Sequence, residues 1–178
     1  RRGGSVVGHR DARRGGRRLH VGYLSADLQH HSVGDLIQSA FALHDRRRFK
    51  VSCFSLREDD GTQVRRAIRA GCDEFHDVQK DSHQAAAARV NRAGVHVLVD
   101  LMGHTRFNRL QILLLRPAPV QVHYMGSTQS VGAEEIPWLV TDAVASPPDT
   151  APLYTEGLVL LPRHFFVTSH ASPDAAAQ

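Results

Sequence analysis

The sequence predicts an α/β fold, a mostly parallel sheet with helices on both faces. Three observations carry this reading. β-rich runs and helical stripes alternate in the order strand, helix, strand, helix, strand, helix, strand. Glycines stop two of the helical stripes, at Gly71 and Gly94. The fourth strand-like run, VHVLVDLMG (Val95 to Gly103), is nearly all apolar, as a strand covered on both faces must be. A chain of 178 residues with 42% hydrophobic and 22% charged residues holds one such domain and would crowd two.

The elements follow in order. LHVGYLSAD (Leu19 to Asp27) is the first strand-like run, and VGDLIQSAFALH places Leu36, Ile37, Ala40, Phe41 and Leu43 on one helical stripe. FKVSCFSL (Phe49 to Leu56) alternates as a strand; DDGTQVRRAIRAG supplies a helix start, a short helix and its stop. DEFHDV is a short strand, SHQAAAARVNRAG an Ala-rich helix, and Val95 to Gly103 the next strand. RLQILLLRPAPVQVHYMG gives a short helix broken by Pro117 and Pro119, then a fifth strand; IPWLVTD and EGLVLLP are two more.

Composition narrows the function classes. No apolar run approaches the roughly 20 residues of a bilayer span, so no membrane partner is expected. The net charge of +4 is local: residues 1–18 hold seven Arg and one Asp, which leaves about −2 on the rest. Residues 1–18 read as an Arg-rich disordered arm without the apolar core of a secretory signal, organelle transit being the alternative; residues 168–178 read as a frayed tail. With the body near neutral and no aromatic recognition motif, nucleic acid is not an expected partner. Cys53 and Cys72 are expected as free buried thiols of a reducing compartment, with a disulfide the alternative. There is no HExxH, CxxC or HxH, so no metal site is expected. GxSxG and GxGxxG are absent as well, which removes a nucleophile elbow and a dinucleotide fingerprint.

In open parallel sheets ligands sit where loops leave the carboxyl ends of strands. Here those loops are SADLQHHSVG, GHTRFN and GSTQSVGAEE. In the first, Ser32 to Asp35 has capping-box spacing, which makes Ser32 the expected N-cap and sets His31 just outside the helix. The positive end of a helix favours a neutral imidazole, able to accept a proton. Asp27, four residues earlier, could orient that ring. The plainer alternative is a half-buried histidine bonded to backbone; His30 is expected to face solvent. His20, His96 and His123 stand singly in strand-like runs, where satisfied core or edge histidines are usual.

LHVGYLSAD with His31 four residues on, DDGTQVRRAI, VHVLVDLMGHT, RPAPVQV, YMG, LVTDAVASP and LVLLPRHFF occur in order from Leu19 to Val167. Together they resemble the first half of the catalytic region of the protein O-GlcNAc transferase family. GHT, PAPVQV and SPPDT are also similar to the plant O-fucosyltransferase relatives, while DDGT and YMG tilt toward the N-acetylglucosamine branch. The resemblance implies a GT-B fold, two Rossmann-like domains facing a cleft, of which residues 19–167 would be the N-terminal half. It implies metal-independent, cofactor-free, inverting transfer of the sugar of UDP-GlcNAc, or of GDP-fucose, to Ser or Thr of intracellular proteins in the cytoplasm or nucleus. By similarity His31 and Asp27 would stand where the acceptor hydroxyl meets the anomeric carbon, and Gly126, Gly103 and Thr105 would border the donor sugar.

The departures are as specific as the matches. The family has His-Pro where this chain has His31-Ser32, a Thr where it has Val33, and Tyr-Pro-Gly-Thr-Ser-Gly where it has Ser127 to Gly132. Neither a tetratricopeptide array nor a second Rossmann-like domain is read within these 178 residues, so the isolated chain is expected to transfer little by itself, and a C-terminal half-domain docking in trans is one expected form of partner. A non-catalytic module that binds peptides or a partner across the cleft is the rival expectation. Phe165, Phe166 and Leu161 are candidates for the surface facing a missing partner, ordinary core being the alternative.

Overall fold

The β-branched and aromatic runs assemble into seven strands in a computed structural model that describes residues 18–169. They are β1 (Leu19–Ser25), β2 (Phe49–Ser55), β3 (Glu74–Asp77), β4 (Val97–Asp100), β5 (Val120–Tyr124), β6 (Trp138–Asp142) and β7 (Gly157–Leu161). All pairings are parallel, in the order β3-β2-β1-β4-β5-β6-β7. Four helices connect the earlier strands: α1 (Ser32–Ile37), α2 (Gln63–Gly71), α3 (His83–Ala93) and α4 (Leu110–Leu113). A 3-10 helix over Pro148–Leu153, which the sequence reading left out, joins the last two strands.

Alternation along the strands splits the interior into two cores, one per face. Leu24, Phe54 and Leu98 pack with Ala86, Ala87 and Val90 of α3 and Ile112 and Leu113 of α4. Val21, Val51, Cys53 and Val99 pack with Val33 and Ile37 of α1, Phe41, and Ile68 of α2. Helices therefore cover both faces of β1, β2 and β4, as the apolar run at residues 95–103 required.

Three local expectations are corrected. The helix foreseen from Val33 to His44 ends at Ile37, and the chain goes on in turns whose i→i+3 bonds, Ala40 N–H to Ile37 O and Leu43 N–H to Ala40 O, still bring Phe41 into the core. The N-cap is His31, not Ser32: its ring Nδ1 accepts the Val33 amide at 3.3 Å, doing what a Ser or Asp oxygen does elsewhere. Consequently no capping box forms, and the Asp35 carboxylate meets the exposed His30 ring at 3.3 Å. Cys53 and Cys72 are joined by a disulfide rather than free. The Asp73 amide donates to the Val51 carbonyl at 2.8 Å, which draws the chain leaving α2 alongside β2 and sets the two cysteine Cα atoms 6.5 Å apart.

The arm at 1–18 and the tail at 168–178 lie outside the described residues except for Arg18, Thr168 and Ser169. Ser169 Oγ accepts the Ser39 amide and donates to the Leu36 carbonyl, at 2.9 and 2.8 Å, which ties that end to the loop after α1. Among the described residues no helix is long and apolar enough to cross a membrane.

A polar row crosses the amino-terminal part of the sheet. The Ser52 hydroxyl donates to Glu74 at 3.1 Å, so the buried His20 ring donates to Ser52 Oγ through Nε2, at 2.7 Å. Burial, with help from Lys50, pushes His20 down to about 4. The unfolded chain thus binds a proton at His20 that the folded chain refuses between about pH 6.5 and 4, and stability falls as pH drops through that window. Urea titrations should lose about 2 kcal/mol between pH 7.5 and 5 from this group. His20→Asn should be less stable at pH 7.5 yet show a smaller loss on acidification; an unchanged difference would assign the sensitivity elsewhere.

Candidate functional site

The loops that leave β1, β4 and β5 meet above the carboxyl end of the sheet and enclose a cavity of about 510 Å³. Its lining comes from α1 (Ser32, Val33, Leu36), the loop after β4 (Thr105), the turn after β5 (Met125 to Gln129), and Phe165 and Phe166 near the end of the described chain. Thr105 and Gly126 of the sequence-derived set therefore share one cavity. Asp27 and His31 stand at the β1–α1 junction whose next residues form its wall.

Those two meet each other. His31 Nδ1 lies 3.4 Å from Asp27 Oδ2, the ring half-exposed and the carboxylate buried. Burial raises the Asp27 carboxyl above its ordinary range, against the opposing pull of His31 and Arg57. The junction is tightly built. The Asp27 amide donates to Ser25 Oγ at 2.9 Å, while Met102 Sδ accepts from Ser25 Oγ and the Ala26 amide at 3.1 and 3.2 Å. Gly34 lies so close to the Gln29 and Asp27 carbonyls that a Cβ would overlap both. The first turn of α1 is thereby pressed against the loop that carries the Asp–His pair.

The turn after β5 has its own geometry. Met125 and Gly126 both adopt left-handed backbone, φ 58° and 65°, and the Ser127 amide returns to the Met125 carbonyl at 2.6 Å. A Cβ on Gly126 would strike the Leu101 carbonyl oxygen. Gly103 is not on the cavity wall; it is buried beneath it, beside the His123 ring. The Thr105 hydroxyl donates to the Met102 carbonyl at 2.8 Å, which fixes its rotamer in the loop.

Several residues that shape the site escaped sequence reasoning. Asp100 accepts the amides of Met102 and Gly103 at 3.2 and 2.8 Å and faces His123 at 2.9 Å. Glu156 reaches the far end of the β5–β6 loop, taking the amides of Val131 and Gly132 at 2.6 and 3.2 Å and the Ser130 hydroxyl at 2.8 Å. Burial would raise this carboxyl, but those donors outweigh it and hold it below its ordinary range. Asp142 accepts the Phe165 amide at 2.7 Å, and the Tyr124 hydroxyl donates to the Phe165 carbonyl at 2.6 Å; Phe165 is buried while Phe166 stays half-exposed on the cavity wall. Phe165 is thus part of the buried core, as the plainer alternative had it, while Phe166 is not, and Leu161 is only partly covered in β7. The available signal was register: Asp100 ends β4, and His123, one residue before the end of β5, pairs directly across from it. Among the described residues no group of three His, Cys, Asp or Glu side chains is arranged to hold a metal ion.

Residues 6–173 match the family described as Glycosyl transferase family 41. The UDP-N-acetylglucosamine--peptide N-acetylglucosaminyltransferase of Caenorhabditis elegans is 38% identical over 157 residues, which is 88% of this chain and 14% of that protein. A probable enzyme of the same name from Arabidopsis thaliana is 38% identical, over 89% of this chain and 16% of its own length. A solved structure of a Thermobaculum terrenum O-GlcNAc transferase mutant superimposes with a TM-score of 0.81 at 35% identity, covering 89% of this chain and 30% of that one. The chain thus spans about one-seventh of the curated relatives' length.

Gly126→Ala should be costly on two counts, the left-handed backbone at about 1–2 kcal/mol and the collision with Leu101. Urea denaturation should show a loss of at least about 2 kcal/mol, with faster amide exchange from residues 125 to 132. A variant of wild-type stability would mean that the turn can re-form elsewhere.

Proposed function

The chain belongs to glycosyl transferase family 41, and we propose that it is the amino-terminal, Rossmann-like half of a protein O-GlcNAc transferase of GT-B architecture. In this reading the 510 Å³ cavity receives the sugar end of UDP-GlcNAc, and a Ser or Thr hydroxyl of an acceptor protein approaches past His31. The observation that carries it is the placement of the Asp27–His31 pair at the start of a helix whose next turn lines a cavity made by the loops after β1, β4 and β5.

The residues suit an inverting displacement. The acceptor oxygen forms a bond to the anomeric carbon on one face as the bond to the diphosphate breaks on the other, and the hydroxyl proton leaves to a nearby acceptor. Because His31 Nδ1 accepts the Val33 amide, the neutral ring carries its proton on Nε2, which is left to meet the incoming hydroxyl and can donate to its oxygen. The Asp27 carboxylate stands beside the same ring, 3.4 Å from Nδ1. On the opposite wall Gly126 keeps side-chain bulk away from the sugar, Thr105 offers a hydroxyl from the loop after β4, and Gly103 lets that loop pack closely over β5.

This half supplies no second wall for the diphosphate, and the reading assigns that role to a C-terminal half-domain, in cis or in trans. The acceptors are proteins inside the cell, in cytoplasm or nucleus. The relatives' names support peptide acceptors and UDP-N-acetylglucosamine as donor.

Mixing the 178-residue chain with the C-terminal half of a family member and UDP-GlcNAc should give peptide glycosylation that neither part gives alone. His31→Ala should lower the rate by about 10²- to 10⁴-fold with the fold intact. Transfer with GDP-fucose and not UDP-GlcNAc would move the donor to the fucose branch. Peptide binding without transfer from either donor would favour a non-catalytic module.

A further inference from the structure

His123 is fully buried, and each of its ring nitrogens faces an acceptor. Nδ1 lies 2.9 Å from Asp100 Oδ2, and Nε2 lies 2.8 Å from the Ser127 carbonyl. A carbonyl cannot donate. The Asp100 carboxylate is already receiving amides on both oxygens, Met102 on one and Gly103 on the other. Four hydrogen bonds are thus directed at one carboxylate and one carbonyl, and a ring that carries both protons satisfies them all with Asp100 ionised. The pair is sealed in: Asp100 is as buried as the ring, and Gly103 closes over it, where a Cβ would stand 2.9 Å from Cε1. Hydrogen bonding and charge from Asp100, with Ser127 adding to them, outweigh the desolvation that opposes a charged imidazole, and the ring is raised above the ordinary histidine range.

The site mechanism above leaves this pair unused, yet it bridges both loops that wall the cavity. Asp100 holds the start of the β4 loop through its amides, while His123 holds Ser127, two residues beyond the left-handed Met125. Met125 pays for its backbone conformation, of the kind that persists only where the surroundings over-determine it. We propose that Asp100 and His123 form a buried carboxylate–imidazolium pair whose task is positioning: the charged ring clamps the Ser127 carbonyl and thereby sets the Gly126–Gln129 turn at the reach the donor sugar requires. The proposal rests on the cavity being the donor pocket, and its test separates the two ideas.

The experiment uses the 178-residue chain labelled with ¹⁵N. Ring-nitrogen spectra at pH 7 should show protons on both nitrogens of His123. Asp100→Asn keeps an oxygen for the loop amides but removes the charge, so one ring proton should be lost and amide exchange at residues 125–128 should accelerate at least tenfold. Titration with UDP-GlcNAc to millimolar concentration, read at the Gly126 and Ser127 amides, should weaken at least tenfold in that variant. A pair serving only the scaffold would lower the melting temperature and leave the titration alone. A bare nitrogen on wild-type His123 overturns the charged pair, and that measurement stands even if Asp100→Asn does not fold. A charged ring with exchange and titration within twofold of wild type in the variant overturns the positioning role. If wild type shows no response to UDP-GlcNAc, the donor-pocket reading fails and positioning toward a sugar fails with it, while the ring spectrum and the exchange rates still decide whether the clamp on the turn exists.

Discussion

Irregular backbone near a protein interior must find acceptors for its amides, and in this domain buried carboxylates beside the strand ends supply them. Asp100 takes two amides of the β4 loop, Asp142 takes those of Val144, Ala145 and Phe165, and Glu156 takes two from the β5–β6 loop. Asp100 and Asp142 end β4 and β6, where the ladder that satisfied the preceding residues has stopped, and Glu156 stands just before β7, where the next ladder begins. Asp142 holds Phe165 on the cavity wall, and Asp100 holds the start of the loop that carries Thr105 there. Charge-assisted hydrogen bonds are about twice as strong as neutral ones, which suits them to this work.

The two Asp–His pairs show how burial changes what one chemistry does. Asp27 and His31 are 3.4 Å apart with the ring half in water, a setting in which an ion pair contributes little to stability, up to about 1 kcal/mol. Asp100 and His123 are 2.9 Å apart and shut away from water. Breaking a buried pair by removing one partner generally costs about 3–5 kcal/mol, because the other is left uncompensated. One pair stands open to solvent and the other is shut in the interior.

Much of the architecture was legible in the chain. The seven strand-like runs became the seven strands, since β-branched residues bounded by Gly, Pro and Asp admit few alternatives. The three loops singled out for chemistry are those that surround the cavity. What was not legible depended on distance along the chain. The His31 cap was missed because Ser32 is the better N-cap by type, and only the fold shows that the imidazole reaches Val33 first. His123 read as an ordinary strand histidine because its partner, Asp100, lies 23 residues away on another strand. The disulfide was misjudged because 19 residues and a whole helix separate its cysteines. Gly103, expected from the resemblance to border the donor sugar, lies beneath the cavity wall against the His123 ring.

The interior position of β1 in the sheet has a consequence in time. Its neighbours are β2 on one side and β4 on the other, and the contact between His20 and His96 spans 76 residues. A ribosome adds roughly 5–20 residues each second, so after β1 emerges about 4–15 seconds pass before its second neighbour has even been made. Throughout that interval a strand that will be flanked on both sides has one edge bare. The nascent chain therefore depends on α1 and β2 to shelter it, and the site at the end of β1 is among the last features to acquire its final surroundings.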